Sequence, residues 1–145
     1  MALTRARAGA YAWTPPLGRG FHLLPLGGRW EAVRAPVELG AWMRENGEER
    51  VAHIATARYA VWLVPADEAA AHGRAWRVPG VRSLATGLLA VPQATRPESG
   101  TGLRWVMPRG WRGRHVARPA QLATDLAAAA RAHWARARLP DRSGQ

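Results

Sequence analysis

The segment from residue 104 to residue 118 carries the side chains best suited to hold a ligand. It has five arginines, no acidic residue and two interleaved tryptophans. Arginine pairs with phosphate through a planar fork of N–H donors, and a partly exposed tryptophan gives a base a face for stacking. We therefore predict contact with a nucleic-acid phosphate backbone, without sequence readout. The residues predicted to bind are Arg104, Arg109, Trp111, Arg112, Arg114 and Arg118.

The same segment has a second interpretation, which the sequence leaves open. It could be a solvated loop in which Trp105 is buried as a strand residue and Trp111 covers the edge of a sheet. The net charge of +11 favours acidic partners such as DNA or RNA. All 21 basic residues are arginine, however, and GC-rich codon usage raises arginine content without selection for binding. Charge alone does not separate the two interpretations.

Two residue types are absent from the chain, and their absence excludes several chemistries. Without lysine there is no P-loop, no Schiff-base chemistry and no lysine nucleophile. Without cysteine there is no thiol catalysis, no disulfide framework and no zinc site with cysteine ligands. The remaining candidates for catalysis are histidine, serine and the carboxylates.

None of these remaining residues forms a recognisable catalytic or metal-binding pattern. No two of the five histidines lie within four residues of each other, and no serine lies in a Gly-x-Ser-x-Gly elbow. Of the ten acidic residues only Glu31 falls on a clearly predicted strand. We therefore assign no catalytic residue, no metal ligand and no cofactor. The sequence leaves open the possibility of an enzyme whose site is built from dispersed residues. A pocket that brings His53 or His115 close to a carboxylate would support it.

The elements that position these residues are predicted mainly from proline. Proline cannot donate to a β-ladder and favours extended geometry in the residue before it, so an apolar run that stops at proline indicates a strand end. Five runs stop in this way, at Ala35-Pro36, Val64-Pro65, Val78-Pro79, Val91-Pro92 and Met107-Pro108. The first residues with strand character, 21–26 and 30–35, are predicted to form a buried and a half-buried strand.

Helices and turns complete the predicted fold. Pro36 is placed in the first turn of a short helix that stops at Asn46-Gly47, and residues 66–72 are predicted to form a helical turn. Residues 81–84 and 88–91 indicate a β-hairpin, and a long amphipathic helix begins at Pro119. The predicted fold class is α+β, a single mostly antiparallel sheet of short strands with one short helix and a long C-terminal amphipathic helix.

The chain length predicts one domain. Residues 1–20 are predicted to be a flexible basic arm, residues 21–139 a single α+β domain and residues 140–145 a tail. Arg5 and Arg7 are not followed by the apolar run of a secretory signal, and no run of about 18 apolar residues occurs. We therefore expect a cytoplasmic protein without a membrane partner.

Six segments, in this order, resemble a known family. They are residues 23–33 (LLPLGGRWEAV), 36–40 (PVELG), 61–65 (VWLVP), 76–81 (WRVPGV), 87–92 (GLLAVP) and 102–108 (GLRWVMP). The series is similar to small actinobacterial proteins related to the bifunctional DNA primase/polymerase family. The resemblance runs from about Phe21 to the last helix, and it implies a primase-like α+β domain.

The resemblance also implies where a catalytic centre would lie, and this chain departs from the family there. Active members place an acidic pair on a strand to hold two divalent metals, a histidine on a later strand and a further acid beyond it. The corresponding stretches surround Arg34, Tyr59 and Arg82, which could form a basic cleft. Arginine at such positions would repel Mg²⁺, which requires oxygen ligands. We therefore predict a non-catalytic primase/polymerase-like domain that binds nucleic acid weakly. The alternative is a protein-interaction or regulatory module with no nucleic-acid role.

Overall fold

The computed structural model describes residues 9–73, 76–94 and 102–138. Within these ranges seven strands and three helices follow a helical turn at residues 9–11. The elements are β1 (Phe21–Pro25), β2 (Trp30–Pro36), α1 (Val37–Asn46), β3 (His53–Ala55), β4 (Tyr59–Pro65), α2 (Ala66–His72), β5 (Arg82–Leu84), β6 (Leu88–Pro92), β7 (Arg104–Val106) and α3 (Pro119–Arg138). The predicted α+β class and the long C-terminal helix are confirmed, and α2 is a second short helix.

The strands form two sheets rather than one. Five strands pair in the order β5-β2-β4-β3-β7, and β1 pairs with β6 in a separate two-stranded sheet. Every pair of neighbouring strands is antiparallel. The antiparallel prediction is therefore confirmed, and the prediction of a single sheet is wrong.

The second sheet exists because β5 and β6 do not form the predicted hairpin. β5 pairs with β2, whereas β6 pairs with β1. The Leu26 N–H donates to the Gly87 carbonyl at 2.9 Å, which ties the end of β1 to the turn before β6. In the same place the backbone of Gly27, with a φ of 100°, lies so close to Ala85 that a Cβ would sit 2.5 Å from the Ala85 carbonyl oxygen. This close approach brings β6 beside β1.

Proline marks the strand ends at four of the five predicted places. Strands end at, or within two residues of, Pro36, Pro65, Pro92 and Pro108. Pro36 and Pro65 are each followed at once by a helix, because proline ends the ladder and its fixed φ suits a helix start. The fifth place, Val78-Pro79, is a turn in which the Val81 N–H donates to the Val78 carbonyl. Residues 76–78 are therefore not the strand that was predicted.

The helices cover one face of the five-stranded sheet. Val33 and Trp62 of the central strands share a buried core with Leu122 and Leu126 of α3. Each such side chain contributes about 1.5–3 kcal/mol through burial. The apolar stripe of α3 thus holds the helix layer on the sheet.

The other face of the sheet is covered too, by the two-stranded sheet and by loops. Leu24 of β1 and Val91 of β6 pack in one buried core with Trp30, Trp105 and Val116. Strand β2 is therefore buried on both faces along most of its length, and not half-buried as predicted. The candidate binding residues lie at the two ends of this layered structure.

Part of the predicted basic arm contacts the folded domain. Ala10 is buried, the Tyr11 hydroxyl donates to a Glu68 carboxylate oxygen at 2.7 Å, and the Trp13 ring lies 5.6 Å from the Trp30 ring. Burial of Tyr11 and its bond to Glu68 raise the pKa of the phenol. Residues 1–8 of the arm and the predicted tail, 140–145, lie outside the described residues.

Gly40 permits the close approach of α1 to the sheet. A Cβ at this position would lie 2.6 Å from the Ala60 Cβ and 3.0 Å from Nε2 of His53. Gly40→Ala should therefore lower the free energy of unfolding by about 1–2 kcal/mol, since overpacking outweighs the gain of about 1 kcal/mol in helix propensity. Urea unfolding measures the change. Gly28→Ala is the control, because nothing lies within 4 Å of its Cβ position. A Gly40→Ala protein as stable as the parent would contradict this account.

Candidate functional site

The loop between α1 and β3 carries a buried acidic residue, Glu49. Its side chain has no exposed surface. Its backbone N–H donates to Oδ2 of Asp125 at 2.8 Å, and Asp125 is itself buried on α3. Gln121, one turn earlier on the same helix, donates to the other carboxylate oxygen of Asp125 at 3.0 Å. The start of α3 therefore holds Glu49 in a fixed position.

Two of the predicted binding residues, Arg114 and Arg118, are held by this carboxylate. The Arg114 guanidinium donates to Oε1 of Glu49 and also to the Val116 carbonyl at 3.0 Å. The Arg118 backbone N–H donates to Oε1 at 2.9 Å, and its guanidinium Nη2 donates to Oε2 at 3.2 Å. The hydrogen bond and charge of Glu49 raise the pKa of Arg118. Both guanidinium groups are therefore positioned while part of each remains exposed.

A surface depression of about 470 Å³ surrounds this buried acid. Its lining residues are Glu48, Glu49, Arg50, Arg112, Arg114 and Arg118. We call it the Glu49 depression. Arg50 and Arg112 are exposed there, and within the described ranges neither makes an ion pair. Arg50 has a φ of 51°, which is strained for a residue with a side chain, and its guanidinium lies over Gly110.

Trp111 stands beside the Glu49 depression and is half-buried. Its indole N–H donates to the Arg114 carbonyl at 2.8 Å, and its ring meets the His115 ring edge-to-face at 5.2 Å. Trp105 is buried on β7, and its indole N–H donates to the Pro92 carbonyl at 2.7 Å. The interpretation that buries Trp105 in a strand is confirmed. Trp111 packs against the core and keeps only part of its surface available for stacking.

The structure does not bring all six predicted residues together. Arg104 lies on the edge strand β7, paired with Ala55 near the opposite end of the sheet. Arg109 is exposed and forms an ion pair with Glu45 at 3.0 Å. The Glu49 depression therefore unites Arg112, Arg114 and Arg118 with Arg50 and leaves Arg104 apart from them.

The three residues of the predicted basic cleft do lie side by side. Arg34 on β2 is directly opposite Arg82 on β5, and the Arg34 guanidinium stands 4.4 Å from the centre of the Tyr59 ring. This group lies at the end of the sheet where β2 ends and β4 begins. It is separate from the Glu49 depression.

Two buried histidines were candidates for an unrecognised catalytic site. His115 is surrounded edge-to-face by Trp13, Trp105 and Trp111, and its burial lowers its pKa to about 4, although the Gly113 carbonyl opposes this. Within the described part of the chain neither this imidazole nor that of His53 bonds to a carboxylate. The support required for an enzyme is therefore not found there.

The environment of His53 is apolar and positively charged. Its ring lies 5.0 Å from the Trp62 ring under helix α1. Burial, followed by the charges of Arg104 and Arg44, lowers its pKa to about 4. Both effects favour the neutral imidazole, so His53 is a packing residue of the sheet at neutral pH.

No group of three or more histidine or acidic side chains close enough to hold a metal ion occurs among the described residues. Within the same ranges no helix combines the length and apolar character required to cross a bilayer.

Sequence reasoning missed Glu49 and Arg50. Glu49 belongs to an acidic cluster with Glu45 and Glu48, and Arg50 lies outside the basic segment 104–118. The sequence did hold a signal for this pairing. In a chain with 21 arginines, a cluster of acidic residues next to a helix end is a candidate partner for some of those arginines.

Comparison with known proteins adds no family to this geometry, since no protein-family model, curated protein or solved structure matches the chain.

Proposed function

We propose that this chain is a non-catalytic primase/polymerase-like domain that binds nucleic acid weakly and without sequence preference at the Glu49 depression. The observation that carries the proposal is the fully buried Glu49 carboxylate, which fixes Arg114 and Arg118 at the surface. Four arginines and two glutamates line the depression, an excess of two positive charges. A polyanion is the complementary ligand for such a surface.

The arrangement favours phosphate contacts over base readout. The guanidinium groups of Arg50, Arg112 and Arg118 are accessible, and each offers donors that match phosphate oxygens. The indole N–H of Trp111 is already used within the protein, so it is not free to bind a base edge. Contacts to the backbone alone give affinities of about 10⁻⁴–10⁻⁶ M at physiological salt.

The residues at the other end of the sheet support the non-catalytic part of the proposal. The family resemblance implies one centre at Arg34, Tyr59 and Arg82, and these residues are neighbours. A two-metal centre requires carboxylates at such positions, whereas arginine repels the metal.

The proposal predicts a measurable salt dependence. Titration of fluorescein-labelled single-stranded oligothymidine, followed by anisotropy, should show binding that weakens about 20-fold between 50 and 200 mM NaCl. Three neutralised phosphates give a log–log slope of roughly −2 on single strands. Arg112→Gln should reduce the steepness of that slope by about 0.7.

The matched control is Arg136→Gln, which removes an exposed arginine on α3 outside the Glu49 depression. Its slope should equal that of the parent protein. Absence of binding at 20 mM salt would refute the proposal, and an equal loss in both variants would place the contact elsewhere. Unchanged affinity in Trp111→Ala would remove only the stacking contribution.

A second candidate function, a protein-interaction or regulatory module, is favoured by one surface. The outer face of the two-stranded sheet is apolar along both strands, with Phe21, Leu23 and Leu88 exposed by 49%, 59% and 65%. Contiguous exposed apolar side chains are typical of interaction sites. A complex with another protein that persists at high salt would favour this function over nucleic-acid binding.

A further inference from the structure

We propose that Arg34, Tyr59 and Arg82 form a binding site for a single phosphate group. The site goes beyond the proposed function, since it lies at the other end of the sheet and shares no residue with the Glu49 depression. The juxtaposition that carries the inference is an arginine of a central strand placed opposite an arginine of an edge strand, with an aromatic ring beneath the first.

The pairing of β2 with β5 brings the two cations together. Arg34 and Arg82 are directly opposite in the antiparallel register, so their side chains emerge on the same face of the sheet. Their Cβ atoms are therefore about 4.5–5.5 Å apart, a distance at which like charges destabilise a sheet. Among the described residues neither side chain has a carboxylate partner.

Arg34 and Arg82 differ in this respect from three arginines of the basic segment. Arg114 and Arg118 share Glu49, and Arg109 pairs with Glu45. A glutamate relieves the repulsion between Arg114 and Arg118, whereas no acid among the described residues does so between Arg34 and Arg82. An anionic ligand between them would supply the missing charge.

The side chain of Arg34 is prepared for such a ligand. Its guanidinium carbon lies 4.4 Å from the centre of the Tyr59 ring, which restricts the plane of the group. Its Nε–H is buried and has no hydrogen-bond partner among the residues that the structure describes, although buried N–H groups in folded proteins nearly always have one. A preorganised donor that lacks an acceptor loses little conformational entropy when a ligand provides that acceptor.

Phosphate fits this site better than a carboxylate does. Two neighbouring cations are neutralised by the dianion of a phosphomonoester, whereas a carboxylate supplies one charge. The tetrahedral oxygens of phosphate can also accept hydrogen bonds from two guanidinium groups that approach from neighbouring strands. The phosphate could belong to the end of a nucleic-acid strand or to a small phosphorylated molecule, and the chemistry of recognition is the same.

The test is a titration of the full chain with inorganic phosphate at constant ionic strength, followed by the arginine Nε–H signals in ¹H–¹⁵N spectra and by calorimetry. We expect saturable binding that shifts the Arg34 signal. Arg82→Gln should weaken binding about tenfold, because one charged hydrogen-bonding partner is lost. Arg34→Gln should do the same. Arg82 is exposed on an edge strand, so its replacement leaves the fold intact.

A further variant separates this site from its surroundings. Arg29→Gln is the matched control, since Arg29 also stacks on an aromatic ring, that of Trp30, but at the other end of β2. It should bind phosphate as the parent does. The proposed function is tested by the salt slope of Arg112→Gln and this inference by the Arg34 signal in Arg82→Gln, and because the two sites share no residue, the two can fail independently.

Oligonucleotides with and without a 5′-phosphate identify the source of the phosphate. A preference for the phosphorylated strand that disappears in Arg82→Gln supports the site with a nucleic-acid end as its ligand. Saturable binding of inorganic phosphate without that preference supports it with a small phosphorylated molecule as its ligand. Phosphate binding that survives both Arg34→Gln and Arg82→Gln, or no saturable shift of the Arg34 signal, would overturn the inference.

Discussion

Replacing Glu49 with glutamine should lower the free energy of unfolding by about 3 kcal/mol. The carboxylate is fully buried and accepts hydrogen bonds from Arg114 and Arg118, and within the described ranges no other cation compensates its charge. Glutamine keeps the shape but leaves two neighbouring guanidinium groups without their anion. We expect the lower end of the range for broken buried pairs, because both arginines are partly exposed.

Urea unfolding followed by tryptophan fluorescence measures this change. Glu48→Gln is a close control, since Glu48 is the adjacent residue, lines the same depression and is exposed. We expect its effect to stay within about 0.5 kcal/mol. Equal stability of the Glu49→Gln and Glu48→Gln proteins would show that the buried ion pairs do not hold the depression together.

Proline allowed much of the fold to be predicted, because its effect on a strand is local. Pro36 and Pro65 end β2 and β4 whatever their neighbours are, since each lacks an N–H for the ladder. The choice of the strand with which a strand pairs does not depend on local sequence alone. The turn at Gly87 has the composition of a hairpin turn, but β6 pairs with β1, and the Ala85 carbonyl before that turn lies against Gly27 in a distant part of the sequence.

The burial of β1 was mispredicted for a related reason. Residues 21–25 are apolar apart from His22, and an apolar run favours a buried strand. In the two-stranded sheet only Leu24 of this strand is buried, because no described part of the chain forms a layer over the other face of that sheet. A single sequence does not tell which face of a short strand another layer will cover.

The candidate site was also predicted only in part: residue types identify the basic segment, but they do not identify its partners from distant parts of the chain. The arginines of residues 104–118 could be identified as a basic segment from their types alone. The partner of Arg114 and Arg118 could not, because Glu49 is 65 and 69 residues away along the chain. The contact of Arg34 with Arg82 and Tyr59 depends on strand order, which tertiary packing decides.

Lowering the pH from 7 to 5 should reduce the free energy of unfolding by about 3 kcal/mol through the two buried histidines. Burial lowers the pKa of His53 and of His115 to about 4, below the value near 6.5 of the unfolded chain. The unfolded chain therefore takes up protons that the folded protein excludes. The contribution of each histidine is complete above pH 6.5 and is lost as the pH falls toward 4.

The two histidines are expected to contribute unequally. His53 lies under α1 with two arginines nearby and should account for about 2 kcal/mol of the fall. His115 should account for about 1 kcal/mol, since it lies in a loop next to the exposed Gly113 and solvent screens its charge more.

Denaturant unfolding at pH 5, 6 and 7 on the parent, His53→Phe and the double variant His53→Phe/His115→Phe measures each share. Phenylalanine keeps an aromatic ring in place but cannot titrate, so the comparison of pH values within one variant cancels any change in packing. If the double variant loses as much stability between pH 7 and pH 5 as the parent does, groups other than these imidazoles govern the acid sensitivity of the fold.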